Sequence, residues 1–370
     1  MKLNLYQKIR FILLNIIFLP AYLSSAGYIY TNAIGQKVYN NAISVSLGNN
    51  STLINSLFVM KTNPSVLIDN EQLTSELNYG FYIVDERIIE DKQPLVKNDF
   101  NFFSNPDISI FYPVKIKNTS LKIGFGIGYF SEYENNYSYK VSTTIYTSVS
   151  NLDSFVIPIL FGTNNFSIGF GIKNFLGGGS LQNNTQKTES TYSGSGFVLG
   201  TKLKLINTVI GLSFIPKNDV VVKSSLTGTE YKVNIPQNIN IALKQEFGVD
   251  TGNPDSAFVE ISFLNYGEVK VKDISSGYND IMTLSLGLEK SFSEETVLRL
   301  GFFYEPNYII RGCVKSGLGT GFGYNKNNLQ FNIGLNYSKE NYKGDGTIFS
   351  TKKVIDESYT NIIFGIKYKL

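Results

Sequence analysis

The stretch Asn165–Phe175, "NFSIGFGIKNF", places Phe166, Ile168, Phe170 and Ile172 on one side of an extended chain and Ser167, Gly169, Gly171 and Lys173 on the other. Successive side chains of a strand point to opposite faces, so this is a ribbon with one apolar and one small or polar face. The pattern returns in "LQFNIGLNYS" (329–338), where Leu329, Phe331, Ile333, Leu335 and Tyr337 oppose Gln330, Asn332, Gly334, Asn336 and Ser338. It returns again in "LKIGFGIGYF" (121–130), "NINIALKQEF" (238–247), "IMTLSLGLEK" (281–290) and "VLRLGFFYE" (297–305). Period alone fits a half-buried soluble sheet as well as a barrel wall between lipid and a polar lumen.

The spacing of these ribbons decides between the two. Strands are expected near residues 73–84, 107–115, 121–131, 153–162, 165–174, 194–205, 208–216, 237–247, 255–266, 280–290, 295–304, 316–325, 328–338 and 358–370, fourteen in all. Their connections alternate in length. Short ones such as "KIKNTS", "GTNN", "INT", "SFSEE" and "NKN" take turns with long ones such as "LGGGSLQNNTQKTESTY" and "KNDVVVKSSLTGTEYKVNIP". Transmembrane barrels have this asymmetry, with short turns at one end and long loops at the other, and a soluble sandwich has no reason to keep it. The expected fold is therefore all-β, a transmembrane antiparallel barrel of about fourteen strands.

Both chain ends agree. Lys2, Lys8 and Arg10 precede the apolar run "FILLNIIFLPAYL", and "SSA" offers small residues at Ser24 and Ala26, the pattern of a secretory signal peptide over residues 1–26. The run is shorter than the ~20 residues of a spanning helix, so a membrane-embedded mature chain has to cross as a closed barrel. At the other end "NIIFGIKYKL" (361–370) sets Ile362, Phe364, Ile366, Tyr368 and Leu370 against Ile363, Gly365, Lys367 and Lys369. The order Gly365, Tyr368, Leu370 resembles the C-terminal signature read by the barrel-assembly machinery, with Leu in place of the usual Phe. Expected partners are thus that machinery and outer-membrane lipid, and the expected location is the outer membrane of a Gram-negative-type bacterium.

Composition excludes several functions. With no histidine among 370 residues the usual general base and the commonest metal ligand are missing, and histidine-dependent lipases, acyltransferases and proteases go with them. Cys313 is the only cysteine and reads as a loop residue, with no internal disulfide or thiolate zinc site available to it. A net charge of +3 with no basic cluster sets nucleic acid aside as a partner. The acids of "IVDERIIEDK" (83–92) and "GDGT" (344–347) read as solvated loop charge, leaving no enzyme site and no cofactor. The runs "GFGIGY", "GSGFVLG" and "GLGTGFG" precede no helix, as a phosphate loop must. They keep the inward face small, leaving the lumen to be occupied from elsewhere.

Residues 27–70 stay outside the strand pattern, and a polar segment of that length ahead of a wide barrel over 71–370 is expected to plug it. Here the residues resemble the FadL family of outer-membrane transporters for long-chain fatty acids and other hydrophobic compounds. The likeness runs from "AGY" (26–28) through "SLGNNSTLINSLFVMKTNPSVL" (46–67), which is similar to the family's hatch with its Asn-Pro-Ala motif. Asn63 and Pro64 match that motif and Ser65 departs. "VNIPQNINIALKQEF" (233–247) and "TVLRLGFFYEPN" (296–307) resemble two later strands of the family. The resemblance implies a hatch in the lumen, a ligand pocket at Gly27 and Tyr28, and sideways release at a kink in the third strand.

Alternation points Gly124, Gly126 and Gly128 of that third strand inward, where they serve either as a lateral gate or as plain barrel packing. A fatty acid needs a cationic partner for its carboxylate. Lys173, Lys202, Lys244 and Arg299 face the lumen by alternation, either for a ligand or for lumen acids such as Glu246 and Glu260 and the hatch. Phe303 lies inward beside Arg299, free to line a pocket or to pack on the hatch. Apolar residues for an outer capture groove are few: Phe175, Leu176, Leu181 and the valines at 220–222. Two functions stand: passive uptake of a fatty acid or similar hydrophobic compound, and a non-transporting scaffold for surface or secreted proteins.

Overall fold

The computed structural model describes residues 35–90, 93–103, 105–141, 144–183, 186–225, 228–248, 254–272, 274–343 and 353–370. Its one sheet is antiparallel throughout. In chain order the strands are β1 (Gln36–Lys37), β2 (Thr74–Glu90), β3 (Gln93–Phe103), β4 (Asp107–Lys115), β5 (Lys122–Val141), β6 (Thr144–Gly162) and β7 (Phe166–Gln182). There follow β8 (Lys187–Leu205), β9 (Thr208–Ile215), β10 (Asn218–Ser224), β11 (Glu230–Ile235), β12 (Gln237–Phe247), β13 (Asp255–Asn265) and β14 (Lys270–Val271). The last are β15 (Ile274–Ser275), β16 (Ile281–Ser291), β17 (Thr296–Pro306), β18 (Val314–Lys326), β19 (Leu329–Lys343) and β20 (Val354–Lys369).

Several of these are pieces of one stave. β3 with β4, β9 with β10, and β11 with β12 run in line, and β14 and β15 prolong β13 and β16, so the wall is a closed barrel of fourteen staves. Each in-line break falls at a proline, Pro106, Pro216 or Pro236, which has no N–H to give the ladder. Closure is made by β20, which pairs with β19 along its length and with β2 from Thr74↔Lys369 to Ile89↔Val354. Beyond the strand, the Leu370 N–H donates to the Leu73 carbonyl at 2.7 Å.

The two faces are inverted relative to a soluble protein. Along β7, Phe166, Ile168, Phe170 and Ile172 are exposed while Ser167, Gly169, Gly171 and Lys173 are buried. Exposed Phe161, Leu286, Leu300, Leu318, Ile333 and Phe364 continue the outer apolar band around the wall. In water such a surface would drive aggregation; in a bilayer it is the lipid-facing side of the barrel.

The staves outrun that band. Much of what the sequence suggests as long loops is strand: β2 continues to Glu90, β7 to Gln182, and β8 begins at Lys187. Outside the lipid the outer face tolerates polar residues, so apolar alternation fades while the backbone ladder continues. The "IVDERIIEDK" expectation fails for this reason. Residues 83–90 belong to β2, and Glu86 is buried inward, accepting a hydrogen bond from the Tyr137 hydroxyl at 3.0 Å. The "GDGT" residues lie outside the described ones. Cys313 does lie in a connection, between β17 and β18, but is buried there.

Residues 35–73 thread the lumen. They contain helix α1 (Ala42–Ser46) and two 3₁₀ turns, Leu57–Lys61 and Pro64–Asp69. Asn41 caps α1, its Oδ1 accepting the Ile43 and Ser44 N–H groups at 3.1 and 3.0 Å. Leu47, Leu57, Phe58, Met60 and Leu67 pack against Phe111, Phe130, Val156 and Leu160 of the wall. The inward glycines make the room. A Cβ on Gly169 would strike the backbone of Pro64 and Ser65, one on Gly301 that of Gly48, and one on Gly334 that of Ala42.

Candidate functional site

Wall carboxylates seat the lumenal segment by its backbone. Glu260 Oε2 accepts the N–H groups of Ser51 and Thr52, both at 2.8 Å, and its Oε1 accepts the Ser51 hydroxyl at 2.8 Å. Across the barrel, Glu76 accepts the Leu57 N–H and the Ser56 hydroxyl, both at 2.6 Å, and the Asn41 amide at 3.0 Å. Charge-assisted bonds of this kind are the strong ones, and here they also satisfy backbone groups that cannot reach water.

All four cations expected in the lumen are engaged with protein acids. Lys173 meets Glu132 at 2.6 Å, Lys202 meets Asp69, Lys244 meets Glu246 at 2.9 Å, and the Arg299 Nε meets Glu289 at 2.7 Å. The Arg299 guanidinium also donates to Asn332 Oδ1 at 3.0 Å. Glu246 is thus a lysine partner as anticipated, whereas Glu260 serves the lumenal backbone. Asn63 and Pro64 open the second 3₁₀ turn, with Asn63 Nδ2 donating to the Thr201 carbonyl at 3.1 Å over Gly200. Gly27 and Tyr28 lie outside the described residues.

Above the segment, toward the long hairpins, lies a small cavity of about 30 Å³. Val38, Tyr39, Tyr82, Val84, Phe303 and Tyr359 supply its apolar walls, and Lys37, Glu134, Glu305 and Lys315 its charges. Phe303 is where alternation put it. The sequence pattern marks neither Lys37 nor Lys315, since the first lies off the strand pattern and the second begins a strand expected only from 316. The Lys315 ammonium sits 3.7 Å from the Tyr359 ring centroid and that of Lys37 5.0 Å from the Tyr39 ring. Burial holds the Lys37 ammonium below its ordinary pKa, with Glu305 and Glu260 opposing the shift.

Farther out the hairpins enclose a recess of about 660 Å³. Leu152, Val220, Val222, Val233 and Ile235 line it, with Tyr192 and Tyr231, serines from β6 and β8, and Asn135. Leu181 and two of the valines named from the sequence are among its walls, and Phe175 is buried in the cluster behind it. The strand extensions therefore build a recess where the sequence offered only scattered apolar residues.

The third stave, β5, is the irregular part of the wall. Its ladder with β6 skips Gly126 and Ile127 opposite Ile157 and Pro158, and its register shifts between Ser131 and Tyr133. Among the described residues β3 pairs with β2, and no ladder joins it to β5 above Tyr129. β1 occupies the exposed edge instead, pairing Gln36↔Glu134 and Lys37↔Tyr133, with the Val38 N–H donating to the Glu132 carbonyl at 3.0 Å. Gly124, Gly126 and Gly128 face inward just below, covered by Phe111, Met60 and Phe130.

No family model matches the chain, and no curated protein matches it. Its fold does match solved structures. The Pseudomonas putida toluene transporter TodX aligns with a TM-score of 0.65 at 16% identity, over 91% of this chain and 99% of that one. A Pseudomonas aeruginosa FadL homologue aligns at 0.66 and 11% identity over 90% and 99%, and the Ralstonia pickettii toluene transporter TbuX at 0.65 and 12% over 91% and 99%. The fold is that of the FadL-type hydrophobic-compound transporters.

Proposed function

We propose that the protein is an outer-membrane passive transporter for hydrophobic small molecules. The supporting observation is an alignment of three features: the recess among the hairpins, the cavity beneath it, and the edge of β5 that, among the described residues, pairs above Tyr129 with β1. A hydrophobic molecule leaves water for the apolar walls of the recess, where burial of apolar area is the driving force. Residues 35–73 act as the hatch that closes the lumen to ions, which supports a division of the chain into a hatch over 27–70 and a barrel over 71–370. Displacement of β1 from β5 opens the wall sideways above Tyr129, next to the Gly126 level, where Pro158 has already removed ladder bonds to β6. Phe303 lines the cavity. Arg299 and Lys244 act on cargo only through their partners Glu289 and Glu246, so a free carboxylate finds no idle cation there.

Cargo uptake into proteoliposomes is the test. The intact protein should admit toluene or a long-chain alcohol while passing little ion current. Failure to take up either, with the barrel folded, would hand the assignment to a scaffold role.

A further inference from the structure

The upper part of β5 brings three buried carboxylates together beside the β1 edge: Asp107 from β4, Glu134 from β5 and Asp153 from β6. Asp153 Oδ2 accepts from the Tyr129 hydroxyl and the Asn151 amide at 2.7 Å and from the Asn105 amide at 3.2 Å. Asp107 Oδ1 accepts the Ser131 N–H at 3.0 Å and the Asn40 amide at 3.4 Å. Each of the three acids keeps one oxygen that is buried with no donor: Asp153 Oδ1, Asp107 Oδ2 and Glu134 Oε1. The nearby cation on the lumenal segment, Lys61, directs its ammonium to the Ser131 carbonyl and the Phe58 ring and makes no ion pair with them. Lys173 is committed to Glu132.

Their position matters as much as their charge. Glu134 lines the inner cavity, and its neighbour Asn135 lines the outer recess, as does Leu152 next to Asp153. The cluster therefore stands on the route between the two. Buried carboxylate oxygens without donors are costly, and a positively charged N–H donor relieves that cost, whereas another carboxylate adds repulsion.

We propose that Asp107 and Glu134 form a binding site for the protonated amine of an amphipathic cargo, making hydrophobic ammonium compounds preferred over uncharged or carboxylate-bearing molecules of equal length. The proposal rests on the transport reading and narrows its substrate class. The ammonium group donates to Asp107 Oδ2 and Glu134 Oε1 while its hydrocarbon tail lies along Leu152 and Val220 in the recess.

The test is equilibrium binding of octylammonium, octanol and octanoate to the purified protein in non-ionic detergent, with protein-free micelles as reference. Octylammonium should bind at least about tenfold more tightly than octanol, with octanoate weakest, the scale expected of a charge-assisted pair. Asp107→Asn and Glu134→Gln should each lower the ratio of octylammonium to octanol affinity toward one, and a ratio unchanged in both variants overturns the proposal. Octanol binding as tightly as the amine, or octanoate binding best, overturns the proposal while leaving transport intact. Binding of none of the three overturns both. Should either variant fail to fold, the ranking on the unaltered protein still decides.

Discussion

Glu260 on the barrel wall holds Ser51 of the lumenal segment twice, by its N–H and by its hydroxyl, each at 2.8 Å. With the Thr52 N–H that makes three donors on one buried carboxylate. Glu260→Ala strands all three, and with ~1–3 kcal/mol for each unsatisfied group the segment should loosen. Planar-bilayer recordings should show a raised ion current from a barrel that still changes mobility on heating. An unchanged current would mean that the segment is seated by packing alone.

What was legible in the sequence was the part that crosses lipid. There the outer face must be apolar, so β4 and β12 begin and end where alternation put them. The bulge on β5 was not legible. Inward residues are even-numbered up to Phe130, but Ser131, Tyr133, Glu134 and Asn135 are all buried, because the register shift at Ser131–Tyr133 breaks the alternation. Parity also placed Arg299 and Lys173 in the lumen correctly but could not name Glu289 and Glu132. Those partners depend on cross-strand register, which no single strand encodes. The Glu134 and Asp107 cluster was out of reach for the same reason.

Cys313 should be silent to thiol reagents in the folded protein. Burial pushes its thiol well up from the ordinary value, Glu340 adds to the shift, and the Sγ contacts the Asn341 carbonyl at 3.3 Å. Maleimide labelling should proceed only after unfolding. Rapid labelling of the native barrel would mean that the connection between β17 and β18 leaves the Cys313 thiol open to water.

Lys37 and Tyr133 face each other in the pairing of β1 with β5. If β1 has to leave the edge of β5 for cargo to exit, a disulfide between Lys37→Cys and Tyr133→Cys should block uptake without weakening binding, and reduction should restore it. Uptake that ignores the cross-link would place the exit elsewhere.

Deleting Tyr368–Leu370 removes the pairings of Tyr368 with Leu329 and Ser75, of Lys369 with Thr74, and the Leu370 bond to Leu73. The seam between β2 and β20 then ends in unpaired backbone groups at the lipid boundary, at several kcal/mol each. The shortened chain should accumulate unassembled or be degraded, as read by heat-modifiable mobility and membrane fractionation. Normal assembly would show that the rest of the β2–β20 ladder closes the barrel unaided.

Val222 is buried in the wall of the outer recess, on β10 beside Tyr192 of β8. Val222→Asp puts a carboxylate where a hydrophobic molecule would lie, and the affected stave segment is beyond the lipid band, so folding should survive. Capture by apolar burial predicts a loss of roughly tenfold or more in affinity for octanol, since covering an ionised group costs more than a valine contact returns. Val222→Leu, which keeps the surface apolar, should hold affinity within about threefold, as a modest overpacking change does. The two variants together separate loss of apolar surface from mere change of shape. If Val222→Asp binds octanol as well as the unaltered protein does, cargo does not enter through this recess.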